Sequence, residues 1–182
     1  MKNLVKLTLM IILAAGLSSC EDIKSIFDVE FESALSGKLY VDVQESAKKS
    51  TEAYGFSASA TIDPLADPDI EEYIDNIREI DVDGIIAEVE SVNKDNVVFK
   101  AGTYFTISDA TSTVTWTLAS DWPIEVGTQL TLDNTGGVYD AVDEILERKE
   151  VFDIAIAGEC TETGVSVVIS LGINSTVIAN PL

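Results

Sequence analysis

Apolar and polar residues alternate with a period of two along most of this chain. Phe27, Val29 and Phe31 alternate with Asp28, Glu30 and Glu32. Leu39, Val41 and Val43 alternate with Tyr40, Asp42 and Gln44. Such a period places one set of side chains on a buried strand face and the other in water. Two strands follow, and Ser36-Gly37 between them predicts a turn. Residues 45–52 are polar and read as a loop. Tyr54 to Ile62 is a third strand, with Tyr54, Phe56, Ala58 and Ala60 in phase.

The period then changes. Asp63-Pro64-Leu65-Ala66-Asp67-Pro68-Asp69 breaks the strand pattern. Asp67 suits an N-cap and Pro68 the first helical position. Ile70, Ile74, Ile77 and Ile80 fall near helical spacing, so a helix is predicted from Pro68 to Glu79. A strand follows over Val82–Val92, with an expected bulge at Gly84. Val97–Ser108 is its hairpin partner, with a second bulge at Gly102. Thr113–Ala119 is the cleanest strand, because Val114, Trp116 and Leu118 alternate with threonines. Ser120-Asp121-Trp122-Pro123 reads as a loop and Gly127–Leu132 as a strand. A second helix is predicted over Tyr139–Lys149. Strands at Val151–Ala157, Val165–Leu171 and Ile173–Ile178 close the chain. About nine short strands with frequent turns and two short helices predict a mainly β fold. The expected form is an antiparallel β-sandwich, immunoglobulin-like or jelly-roll-like.

The first twenty residues do not fit this pattern. Lys2 and Lys6 precede an apolar run from Leu7 to Gly16, and Leu17-Ser18-Ser19-Cys20 closes it. A basic start, a short apolar run and small residues at the end describe an export signal. The run is too short to span a bilayer comfortably. The ending resembles the lipobox of bacterial lipoproteins. That resemblance, which covers residues 1–20 alone, implies that residues 1–19 are removed and that Cys20 carries a diacylglycerol. It also implies an acylated amine on Cys20, and two or three acyl chains (palmitate or similar) anchor a protein stably where one does not. Residues 20–26 then form a lipidated tether and residues 27–182 a single sandwich domain. Glu21, not aspartate, follows the cysteine, which for this family implies the outer membrane. Glu21-Asp22 also matches, over two residues, an acidic surface-export signal, so the domain faces the cell surface or the periplasm.

Charge narrows the function. The chain has 32 acidic and 11 basic residues, a net charge of −21. With Lys2 and Lys6 removed, nine bases face thirty-two acids, a net charge of −23. That balance argues against binding nucleic acid or anionic lipid headgroups through the protein surface. The chain contains no histidine, which excludes His-dependent nucleophile systems and His-ligated zinc. Of the two cysteines, an acylated Cys20 leaves Cys160 with no intramolecular partner. Its place beside a strand fits a small buried apolar residue.

Three acids and one aromatic residue are site candidates. Asp63, Asp67 and Asp69 could contribute oxygen ligands to calcium on a flexible loop. Helix capping by Asp67 and turn chemistry at the other two account for the same residues. Trp122, in its expected loop, is a candidate ligand contact that could stack on a sugar ring or anchor a protein. No spacing singles out a catalytic carboxylate pair. The reading is a non-catalytic, lipid-anchored binding or adhesion module for a glycan or protein, without a cofactor beyond the covalent lipid. The alternative is an accessory subunit of an envelope complex.

Overall fold

The computed structural model describes residues 28–44, 49–50 and 53–180, so Cys20, Phe27 and the signal segment lie outside the described residues. In chain order the strands are β1 (Val29–Val43), β2 (Lys49–Ser50), β3 (Ala53–Ile62), β4 (Ile77–Val92), β5 (Val97–Phe99), β6 (Tyr104–Ser108), β7 (Thr113–Thr117), β8 (Trp122–Ile124), β9 (Gln129–Thr131), β10 (Phe152–Cys160) and β11 (Val165–Ala179). The helices are α1 (Pro68–Tyr73), after a 3-10 turn at Pro64–Ala66, and α2 (Val138–Glu147). One sheet runs β1-β11-β4-β9. In the other, β2 and β3 lead to β10, whose far side pairs with β6 and then β7, and at its end with β5 and then β8. Every pairing is antiparallel, and the two sheets share one apolar core. The fold is a mainly β, antiparallel sandwich with two short helices.

Alternation explains which residues enter that core. All odd positions of β11 from Val165 to Ala179 are buried, while the even ones face outward or half-outward. The predicted break between Leu171 and Ile173 does not occur; β11 is one strand of 15 residues. Ser36-Gly37 is likewise no turn, because β1 runs through it in unbroken register with β11. Gly37 faces inward. A Cβ there would sit 2.7 Å from Ile154 Cδ1 and 2.9 Å from Ile62 Cγ1. The glycine therefore serves close sheet-to-sheet approach, not chain reversal.

The helix expected at Pro68–Glu79 is shorter, Pro68–Tyr73. Asp67 caps it and Pro68 opens it as expected. A turn bond from Asn76 N to Tyr73 O ends the helical segment, and Ile77 and Ile80 belong to β4. Pairing to β11 outweighs the helical spacing of these isoleucines. β4 also carries the bulge expected at Gly84: its register on β11 slips there and at two further places. The inserted residues are Arg78, Asp83 and Glu90, all exposed. Each reaches a neighbour: Arg78 pairs with Asp28 at 3.0 Å, Thr176 Oγ1 donates to Asp83 at 2.9 Å, and Lys38 donates to Glu90 at 2.6 Å. Bulges let the strand place charge outward without taking apolar residues from the core.

Strand Val97–Ser108 divides instead into β5 and β6, separated by a turn in which Gly102 has φ 91°. The Thr113–Ala119 strand stops at Thr117 and the Gly127–Leu132 strand is Gln129–Thr131. The second helix ends at Glu147, with Lys149 in the left-handed region at φ 57°. It begins at Val138, where Asn134 Oδ1 accepts from Tyr139 N. Tyr139 then ties α2 to the sheet by donating to Leu132 O at 2.6 Å and accepting from Ile85 N at 3.3 Å.

The tightest glycine is Gly158, where a Cβ would clash with Thr103 Oγ1 and meet the Thr103 Cα at 2.8 Å. The atoms nearest a Cβ at Gly37 belong to side chains, not to backbone. Gly37→Ala is expected to lower stability by about 1–3 kcal/mol and Gly158→Ala by at least the top of that range. Urea denaturation of both variants measures the order, and wild-type midpoints for either would contradict this packing.

Candidate functional site

Trp122 lies in β8, not in a loop, and is only 6% exposed. β8 pairs with β5, placing Trp122 opposite Phe99 and Pro123 opposite Val98. Proline is tolerated because β8 lies at a sheet edge. The indole meets Phe99 edge-on and Phe105 at a tilt, with centroids 6.1 Å apart in each case. Phe56 stacks on Phe99 at 4.3 Å. The loop placement and exposure expected of Trp122 do not hold: its ring holds β5, β6 and β8 to the core and is almost wholly buried. Its Nε1 is buried with no hydrogen-bond partner among the described residues.

A cleft of about 490 Å³ lies beside it, walled by Trp116, Leu118, Trp122, Leu130 and Leu132. Trp116 is 9% exposed, and its Nε1 donates to Asp133 O at 2.9 Å. Both tryptophans therefore reach this cleft only by their margins. Asp121, on the rim, accepts from Lys100 Nζ at 2.6 Å and Ala101 N at 2.9 Å. The Lys100 bond foremost, then the amide, holds its carboxyl below the usual range. Asp121 is a turn anchor.

Asp63 and Asp67 act as caps, and Asp69 lies in the first turn of α1. Asp63 Oδ1 accepts from Leu65 N at 3.0 Å, and Asp67 Oδ1 from Asp69 N at 2.9 Å. Asp67 Oδ2 accepts from Ser33 Oγ at 2.6 Å and so pins α1 to β1. Among the described residues no group of three or more Asp, Glu, His or Cys could hold a metal, so the calcium arrangement is not formed. These acids instead line one side of a groove of about 710 Å³ whose other side is β1, from Glu32 to Ser36. No described strand pairs with that side of β1.

Outward faces of the two sheets differ in chemistry. Around the first sheet, Glu30, Glu32, Asp81, Asp83, Glu88 and Glu90 face out, with Lys38 already bonded to Glu90. On the second sheet, cross-strand rows such as Ser59-Ala155-Thr106-Thr115 and Ser57-Ala157-Tyr104-Thr117 carry no charge. Cys160 is fully buried, and burial raises its thiol pKa, which makes it a core residue.

No family model and no curated protein match the chain. Several solved structures do. One is a decameric BFDV capsid protein, at 9% identity and TM-score 0.42, covering 82% of this chain and 99% of that one. Another is turnip yellow mosaic virus, at 7% identity and TM-score 0.39, covering 85% and 95%. A third is the Macrobrachium rosenbergii nodavirus particle, at 7% identity and TM-score 0.31, covering 85% and 96%. Superpositions this loose carry no functional argument, and the sandwich assignment rests on the strand pairing described above.

Two outcomes follow. Trp122→Ala is expected to lower stability by about 3–5 kcal/mol, as for a core aromatic; thermal or urea unfolding reads this, and a fully stable variant would return Trp122 to the surface. Asp143 Oδ1 accepts from Val82 N at 2.8 Å. Its pKa is raised, by burial first and then by Asp81, Asp140 and Glu147. A raised folded-state pKa means that stability falls as pH rises through it. Asp143→Asn keeps the acceptor and removes the charge. It is expected to raise Tm by about 1–3 °C near neutral pH, with the gain vanishing as pH drops below the carboxylate range.

Proposed function

We propose that the mature chain is a lipid-anchored, non-catalytic binding module of the bacterial cell envelope, with a protein as its ligand. The observation that carries this reading is Leu17-Ser18-Ser19-Cys20 after a basic start and a short apolar run. Cys20 lies nine residues before β1 begins at Val29. A tether that short keeps the sandwich close to the bilayer. Outer-membrane placement follows from Glu21 after the lipidated cysteine, with the domain facing the cell surface or the periplasm. The near-complete burial of the Trp122 ring leaves little aromatic face to stack on a sugar, which favours a protein over a glycan as the ligand. The unpaired side of β1 favours a protein ligand, because a strand edge recognises backbone. An accessory subunit of an envelope complex is the version of this reading that the same edge supports.

Cys20→Ala should abolish acylation and move the protein from the membrane to the soluble fraction. Cell fractionation with labelled fatty acid reads both effects. A variant that stays in the membrane would remove the anchor.

A further inference from the structure

We infer that the free side of β1, from Glu30 to Ser36, is a strand-addition site for a basic, extended segment of a membrane-proximal protein. This rests on the protein-binding reading above and names the partner's chemistry. β1 is 15 residues long and bonded to β11 along its whole length on one side. Its other side has no described strand, and the groove opens against residues 61–69 of the opposite sheet. An added strand would complete the backbone hydrogen bonds that β1 leaves open.

Charge selects the occupant. Glu30 and Glu32 face outward on this half of β1, and Asp63 and Asp69 are exposed on the groove's other wall. The one lysine of β1, Lys38, is engaged by Glu90. Outward-facing lysines or arginines on an added strand would lie beside Glu30 and Glu32, at cross-strand distance. Its alternate side chains would turn toward the rim formed by Leu35 and Ile62, which suits apolar residues. A second copy is the wrong partner, because it would bring two chains of net charge −23 together along an acidic edge. Position agrees: Glu32 is twelve residues from Cys20, within about 40 Å of the membrane even with the chain fully extended.

The test uses the mature lipidated chain in detergent. The probes are two peptides of about ten residues, one alternating lysine and valine and the other glutamate and valine. The lysine peptide should bind, more weakly as salt rises, and slow hydrogen exchange at β1 amides. The double variant Glu32→Lys with Asp69→Lys should lose about tenfold or more in affinity at unchanged Tm. Equal binding of both peptides, binding of neither, protection elsewhere, or a dimer whose β1 amides are already protected would each overturn the proposal. A photo-crosslinking residue in place of Ser36 or, separately, Thr115 then divides the failures in cells. Protein adducts from Thr115 alone keep the binding-module reading and remove the β1 site; adducts from neither position remove both.

Discussion

The whole sandwich depends on the uninterrupted ladder between β1 and β11. Fifteen residue pairs run from Val29 opposite Ala179 to Val43 opposite Val165 without a slip. A slip of one residue would exchange the buried and exposed faces of both strands. The odd positions of each are the ones the core needs, including Leu39, Val41, Val167, Ile169 and Leu171. The ladder joins one end of the described chain to the other, so it closes only when both are present. Gly37 lets this ladder lie against Ile62 and Ile154 of the opposite sheet. The second neighbour of β11, β4, shows the contrast: it slips three times, and each slip releases a charged residue to the surface.

Much of this was legible from period alone. The sandwich class, the cap at Asp67 with Pro68 at the first helical position, the bulge at Gly84 and the buried Trp116 all follow from local chemistry. At two places the local punctuation conflicts with an unbroken phase, and the phase wins. Leu35, Gly37, Leu39, Val41 and Val43 keep one parity straight through Ser36-Gly37. So do Leu171 and Ile173 in β11. A preserved parity was the available signal that both strands continue. At Ile70 to Ile80 two periods overlap, and long-range pairing to β11 decided the boundary, which no local window contains. Trp122 and Ile124 also share a parity across Pro123, but three residues are too few to read as a strand. The aromatic cluster of Phe56, Phe99, Phe105 and Trp122 joins four separate strands, so neighbouring residues gave no sign of it.

Function is written on the surface and at the N-terminus. The interior is apolar, with both tryptophans and Cys160 committed to packing, and of the acids considered for calcium Asp63 and Asp67 serve as caps while Asp69 lies in the first turn of α1. What differs from place to place is outward chemistry: acids crowd the sheet that holds β1, while hydroxyls and alanines cover much of the other. On the proposed lipid tether, a strongly acidic domain would be held off an anionic bilayer by its charge and close to it by its anchor. That combination suits a module that meets its partner beside the membrane.

On the proposed anchor, the mature protein begins at an acylated Cys20. Mass spectrometry of the N-terminal peptide, from protein purified out of bacterial membranes, is the decisive measurement. The expected peptide starts at Cys20, carries a diacylglyceryl group on its sulfur and shows no trace of residues 1–19. A peptide that retains those residues, or starts elsewhere with a free thiol at Cys20, would contradict the anchor.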